Sequence, residues 1–135
     1  MTNTLFVAVL FFLPFHALSQ CENSFKDAEK ALGKNFISDP HALQATMQGH
    51  DTLAFESLWL EKNTYRIATS GNDQQRVSIL VYDENNTIVF DNSAFGSPPV
   101  WDFFVEHSMK VRCVVRFINS TPQPHCLTVL TGFKK

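Results

Sequence analysis

Between Met109 and Phe117 every second residue is apolar, with Met109, Val111, Cys113, Val115 and Phe117 alternating against Lys110, Arg112 and Arg116. A period of two marks a strand with one face in a core and the other in water. After Asn119-Ser120-Thr121-Pro122-Gln123-Pro124 the chain is apolar again from Cys126 to Phe133. Proline cannot donate to a ladder, so both prolines are expected in a loop and the two strands in a long-looped hairpin that closes the core.

Upstream, Phe25, Ala28, Leu32 and Phe36 fall at near-helical spacing, with Ser24 and Asp27 as a capping-box-like start and Gly33 as a stop. A short helix over about 22–36, lying on the sheet edge, is expected. Leu43, Ala45 and Met47 alternate as in a strand, although a helical turn after Pro40 competes. Thr52 to Leu60 follows, then a strand through Tyr65, Ile67 and Thr69. Val77 to Tyr82 is apolar on both faces and reads as a doubly buried central strand, turned by Asp83-Glu84-Asn85-Asn86 into Thr87 to Phe90. Asp91 to Pro99 is loop chemistry, and Val100 to Val105 is an aromatic-rich strand. The pattern amounts to a single all-β antiparallel β-sandwich of jelly-roll character, with about eight strands and one N-terminal helix.

The first residues change the setting. Leu5 to Leu13 is a continuous apolar run, followed by Pro14 and the small residues of Ala17-Leu18-Ser19. This is the pattern of a signal peptide over residues 1–19, with cleavage after Ser19, and the run is too short to span a bilayer. The mature chain, about 115 residues, is then one exported domain at 20–135, periplasmic or extracellular, with no membrane insertion. Leu18-Ser19-Gln20-Cys21 is close to a lipid-attachment site, but Gln20 stands where a small residue is needed. The net charge of −2, with both signs interspersed, argues against a nucleic-acid partner.

The residues Tyr65-Arg66-Ile67, Val81-Tyr82-Asp83, Val89-Phe90-Asp91, Trp101-Asp102-Phe103, Cys126 and Gly132-Phe133-Lys134 carry a resemblance. From about Leu43 onward the chain resembles small exported proteins of bacteroidete-type bacteria, and more distantly the β-sandwich modules appended to secreted bacterial peptidases. The resemblance implies a sandwich in which Tyr82-Asp83-Glu84-Asn85 is a structural hairpin. It brings no catalytic residue.

Candidate chemistry is sparse. No nucleophile elbow or metal-ligand histidine pair occurs, so neither a catalytic residue, a metal nor a cofactor is assigned. Asp73, Asp83, Glu84 and Asp91 near loop ends are the nearest approach to a calcium site and read equally as solvated turn acids. Trp59, Trp101, Phe103 and Phe104 offer broad aromatic faces for a glycan or a protein, with Asp91 close in sequence. Consecutive Phe103 and Phe104 cannot share a face, so one of them is either exposed, where it is the best surface anchor in the chain, or covered by the Asp91–Pro99 loop, which is the favoured placement. Asp51-Thr52-Leu53 resembles an O-glycosylation site with Thr52 as acceptor.

Export permits a disulfide, and three cysteines leave one unpaired. With Leu127 and Val129 turned to the core, Cys126 faces outward toward an arm that follows Cys21, so Cys21 with Cys126 is the favoured pair over Cys113 with Cys126. Cys113 is then a buried free thiol. The expectation is an exported non-catalytic binding or accessory module of the cell envelope, whose partner is a glycan or an envelope protein. The alternatives are a small secreted hydrolase and a structural envelope protein packed on a larger partner.

Overall fold

Alternation along β8 (Met109–Phe117) becomes a burial pattern in which Val111, Cys113, Val115 and Phe117 point inward. The computed structural model describes residues 16–40, 42–72, 74–119 and 121–134. The greater part of the expected leader, residues 1–15, lies outside them, and the expected cleavage point falls within the helix of the full chain.

Among the described residues nine strands form two antiparallel sheets. The first sheet runs β1 (Ile37–Ser38), β9 (Thr121–Lys134), β4 (Thr64–Thr69), β7 (Val100–Phe104), with β2 (Leu43–Gly49) also paired to β9. The second runs β3 (Leu53–Trp59), β8, β5 (Val77–Tyr82), β6 (Ile88–Asp91). Their inner faces meet in one core: Met47, Ile67, Leu127 and Val129 from the first sheet pack on Trp59, Val77, Ile79, Val81, Val111, Cys113 and Val115 from the second. The sandwich expectation holds.

The expected closing hairpin does not form. β8 pairs with β3 and β5, whereas β9 pairs with β1, β2 and β4, so the link between them crosses from one sheet to the other. Two strands facing each other across a core show the same alternation as two strands side by side, which is why periodicity does not separate the cases. Pro122 and Pro124 also lie within β9 rather than in the loop. Pro124 shares parity with Thr128, whose N–H points away from β2 to the Ser70 hydroxyl at 3.1 Å, whereas Pro122 lies where the β2–β9 register shifts and its carbonyl accepts from Gln48 Nε2 at 3.0 Å. The Pro124 nitrogen therefore faces away from β2, and Pro122 sits at an irregularity of the ladder, the two kinds of place where a strand tolerates proline.

Helix α1 (His16–Leu32) is longer toward its N-terminus than expected and covers the outer face of the first sheet instead of its edge. Ser24, Ala28 and Leu32, four residues apart, are its buried stripe, and Ala28 and Leu32 pack with Phe36 on Ala68 and Leu130. Ser24 is consequently not an N-cap: its hydroxyl lies under the helix, 2.8 Å from Thr128 Oγ1. Gly33 does end the helix, at φ +78°, with its N–H on the Glu29 carbonyl. At Gly132 a Cβ would stand 3.0 Å from Leu32 Cδ1 and from the Ile37 carbonyl, so the bare backbone lets the helix end sit close to β9.

The doubly buried reading of β5 is also corrected. Val77, Ile79 and Val81 are buried, but Leu80 and Tyr82 on the opposite face are half-exposed, because among the described residues no helix covers the second sheet. Beyond Asp91 the loop forms a 3-10 turn, Asn92–Phe95, and buried Asn92 uses its side chain to extend the β6 ladder. Its Oδ1 accepts from Ile79 N–H at 2.8 Å and its Nδ2 donates to the Val77 carbonyl at 2.9 Å.

Candidate functional site

Alternation in β7 sends Trp101 and Phe103 toward β6 and sends Asp102 and Phe104 the other way. Phe90 of β6 fills the space between the sheets, with ring centroids 4.9 Å from both Trp101 and Phe103. The row continues at one end through Phe95, 4.8 Å from Trp101, and at the other through Trp59, 5.0 Å from Phe103, to Tyr65 stacked at 5.3 Å. Aromatic rings thus close the β6–β7 side of the sandwich. The sequence picked out Trp59, Trp101 and Phe103 for this region and missed Phe90 and Phe95. Phe90 sits at an edge and Phe95 in a loop, where no alternation assigns a face.

Phe104 is a correction. It is 63% exposed and the Asp91–Pro99 loop does not cover it. That loop is held elsewhere: Asn92 anchors it to β5, its Nδ2 also donating to the Pro98 carbonyl, and Arg76 Nη2 donates to the Gly96 carbonyl. Ile88, Val89 and Phe95 are also exposed, so four of the eight large exposed apolar side chains among the described residues lie along this one edge. Beside them a groove of about 460 Å³ is lined by Val89, Phe90, Phe103, Phe104 and Met109, with Glu106 and His107 among its other neighbours.

The charges near the edge are engaged. Arg66 grips Asp102 through two bonds, Nε to Oδ1 at 2.6 Å and Nη2 to Oδ2 at 2.9 Å. Its Nη1 donates to the Leu32 carbonyl at the end of α1, and the guanidinium stacks over Phe36 at 4.1 Å. The hydrogen bond to Asp102 raises the Arg66 pKa further above its ordinary value. Asp91, named beside the aromatic faces for ligand binding, caps the 3-10 turn, its Oδ1 accepting from the N–H and hydroxyl of Ser93. Those bonds, the hydroxyl first, hold its carboxyl below the usual range.

The remaining sequence candidates do not join this edge. Cys21 and Cys126 form a disulfide that ties α1 to β9, with Cα atoms 5.2 Å apart. The same Cys21 sulfur cannot carry a lipid while it is in that bond. Cys113 is buried in the core, where desolvation pushes its thiol up to about 12 and leaves it without nucleophilic character. Thr52 is exposed in the turn before β3. Of the loop acids, Asp73 lies outside the described residues, and Asp83 Oδ1 accepts from the Asn85 and Thr87 N–H groups within its own turn. No group of three or more His, Cys, Asp or Glu among the described residues is placed to hold a metal.

A second concavity of about 300 Å³ lies on the uncovered face of the second sheet, lined by Glu56, Asp83, Glu84, Asn86, Lys110 and Arg112. Arg112 stacks over Tyr82 at 4.4 Å and stands opposite Glu56 in register. Charges of both signs alternate there on an open sheet surface.

A two-sheet antiparallel sandwich with a helix over one face, closed by aromatic rings on one side, is the architecture these observations define. Comparison with family models and with curated proteins returned no match. Among solved structures, the chain is similar to PliG of Aeromonas hydrophila, a periplasmic lysozyme inhibitor of g-type lysozyme, with a TM-score of 0.54 at 14% identity. The likeness covers 76% of this chain and 90% of that one, and it is a likeness of fold. Among the described residues, no helix is long and apolar enough to cross a membrane.

Proposed function

We propose that this chain is an exported, non-catalytic protein-binding module that docks a secreted or envelope enzyme, of the g-type lysozyme class, against the β6–β7 edge. The observation that carries the reading is the concentration of exposed Ile88, Val89, Phe95 and Phe104 along that edge, beside an apolar groove. Scattered apolar residues need no explanation, whereas exposed Val89 and Phe104 both bordering an apolar groove are the usual form of a docking surface. The fold likeness to a lysozyme inhibitor supports the choice of partner. The disulfide supports export, since such bonds persist in oxidising compartments. A protein partner is preferred to a glycan because Trp101 and Phe103, two of the rings offered for a sugar, spend their faces on neighbouring rings. The resemblance to exported bacteroidete-type proteins adds export to this reading and no chemistry.

Titration calorimetry of the mature chain against a g-type lysozyme, together with a muramidase assay, tests the proposal. The expected result is stoichiometric binding with loss of lysozyme activity, weakened by Val89→Lys. Absence of heat and of inhibition at about 100 μM would remove the lysozyme reading. Heat on adding peptidoglycan fragments alone would assign a glycan instead.

A further inference from the structure

β7 ends the first sheet, and its outer side shows which backbone groups are free. The Thr69 N–H donates to the Pro99 carbonyl at 2.9 Å and the Val105 N–H to the Asn63 carbonyl at 3.0 Å. Antiparallel pairing alternates the direction of backbone groups, so residues 99, 101, 103 and 105 address β4. Val100, Asp102 and Phe104 therefore turn their N–H and C=O groups outward, and none of the described residues pairs with them. Water solvates such a row in the isolated chain, and an extended polypeptide is the partner that can replace that water along its whole length.

The other edges are blunted. Centring two copies on the edge of β3 would set Glu56 against Glu56, and β6 is only four residues long. On the outward side of β2, the Gln48 N–H is already taken by Asp51 Oδ2. β7 has a central carboxylate too, but Arg66 holds both oxygens of Asp102, so no free charge guards the strand.

From this geometry we infer that β7 pairs antiparallel with β7 of a second copy of this chain, giving a two-fold dimer centred on Asp102. In that register Asp102 faces Asp102 of the second copy, and Val100 faces Phe104 in both directions, with about six backbone hydrogen bonds exchanged. Phe104, 63% exposed in one copy, covers the half-exposed Val100 of the other. β6 lies directly behind β7 through the Phe90 contacts, so the same axis brings Ile88 and Val89 toward their counterparts. The pairing thus covers exposed Phe104 as well as the free strand edge. It rests on the reading of this edge as a protein-docking surface and names a second copy as an occupant that competes there with a foreign partner.

Sedimentation velocity of the mature chain from about 1 to 100 μM, with no other protein present, tests the inference. The expected result is a monomer–dimer equilibrium. Phe104→Lys should keep the monomer folded, since the side chain is exposed, and weaken dimerisation by about thirtyfold or more. Hydrogen exchange at the Asp102 and Phe104 amides should be slow in concentrated wild type and fast in the variant. A monomer throughout the range overturns the proposal, as does a dimer that survives Phe104→Lys while both amides exchange fast. Because no lysozyme is involved, either result leaves the lysozyme reading to its own assay.

Discussion

Asn92 is the most informative single residue to change. It is completely buried, and its amide replaces a strand neighbour for β5 beyond the end of β6. Asn92→Ala leaves the Ile79 N–H and the Val77 C=O without partners, on residues themselves 0% and 1% exposed. Each buried orphan costs about 1–3 kcal/mol. The Pro98 carbonyl also loses its donor, but Pro98 is half-exposed and water can reach it. A water admitted to the vacated volume would recover part of the loss at β5, so the expected destabilisation is about 3 kcal/mol. For a domain with a total stability of about 5–15 kcal/mol, that is a drop of about 1–3 M in the urea midpoint, with an unchanged slope. Asn92→Asp has the same shape and keeps an acceptor for Ile79 N–H, but it turns a second oxygen toward the Val77 and Pro98 carbonyls. At neutral pH it should be at least as unstable as the alanine variant. Equilibrium urea unfolding followed by tryptophan fluorescence reads both variants. An Asn92→Ala variant within about 0.5 kcal/mol of wild type would show that β5 does not depend on the amide, and the ladder-extension argument would fail.

Three further outcomes follow from the packing. Ile79→Ala should cost about 2–5 kcal/mol and Leu80→Ala well under half of that, because one side chain is in the core and the other is half in water; equal losses in urea melts would mean that the outer face of β5 is covered. Replacing Cys21 and Cys126 with Ser opens a crosslink spanning 105 residues, for which the chain-entropy model gives about 4.7 kcal/mol; an unaltered thermal midpoint would show that α1 docks without the bond. The Asp91 carboxyl, held low in the folded state by Ser93, contributes stability that is present above the unfolded carboxylate range and lost as pH falls through the folded value. The stability gap between wild type and Asp91→Asn should therefore be full at neutral pH and close on acidification; a gap that widens toward acid would contradict the cap.

The sequence by itself determined the faces. Alternation in Met109–Phe117 named Val111, Cys113 and Val115 as core residues, and the same logic turned Leu127 and Val129 inward and Cys126 outward to meet Cys21. Strand content, the presence of a helix, its stop at Gly33 and the turn at Asp83 were legible for the same reason, since each is written in local spacing or in a residue with special backbone preferences. Of the candidate site, Trp59, Trp101 and Phe103 were legible as aromatic faces and Phe90 and Phe95 were not.

Tertiary structure decided the partners. Alternation reports that a strand has an inner side and is silent on which strand lies beside it, so β8 and β9 read as a hairpin although they face each other across the core. Pro124 could enter β9 because its nitrogen faces away from β2, and Pro122 because the β2–β9 register shifts there. Whether Leu80 or Phe104 is covered depends on where α1 and the Asp91–Pro99 loop come to rest, and both are fixed by contacts with residues distant in sequence. α1 is held by the bond to Cys126 and by Ala68 and Leu130, and the loop by Asn92 on β5. A side chain's period is set by its own backbone, but its exposure is set by what the rest of the chain lays over it.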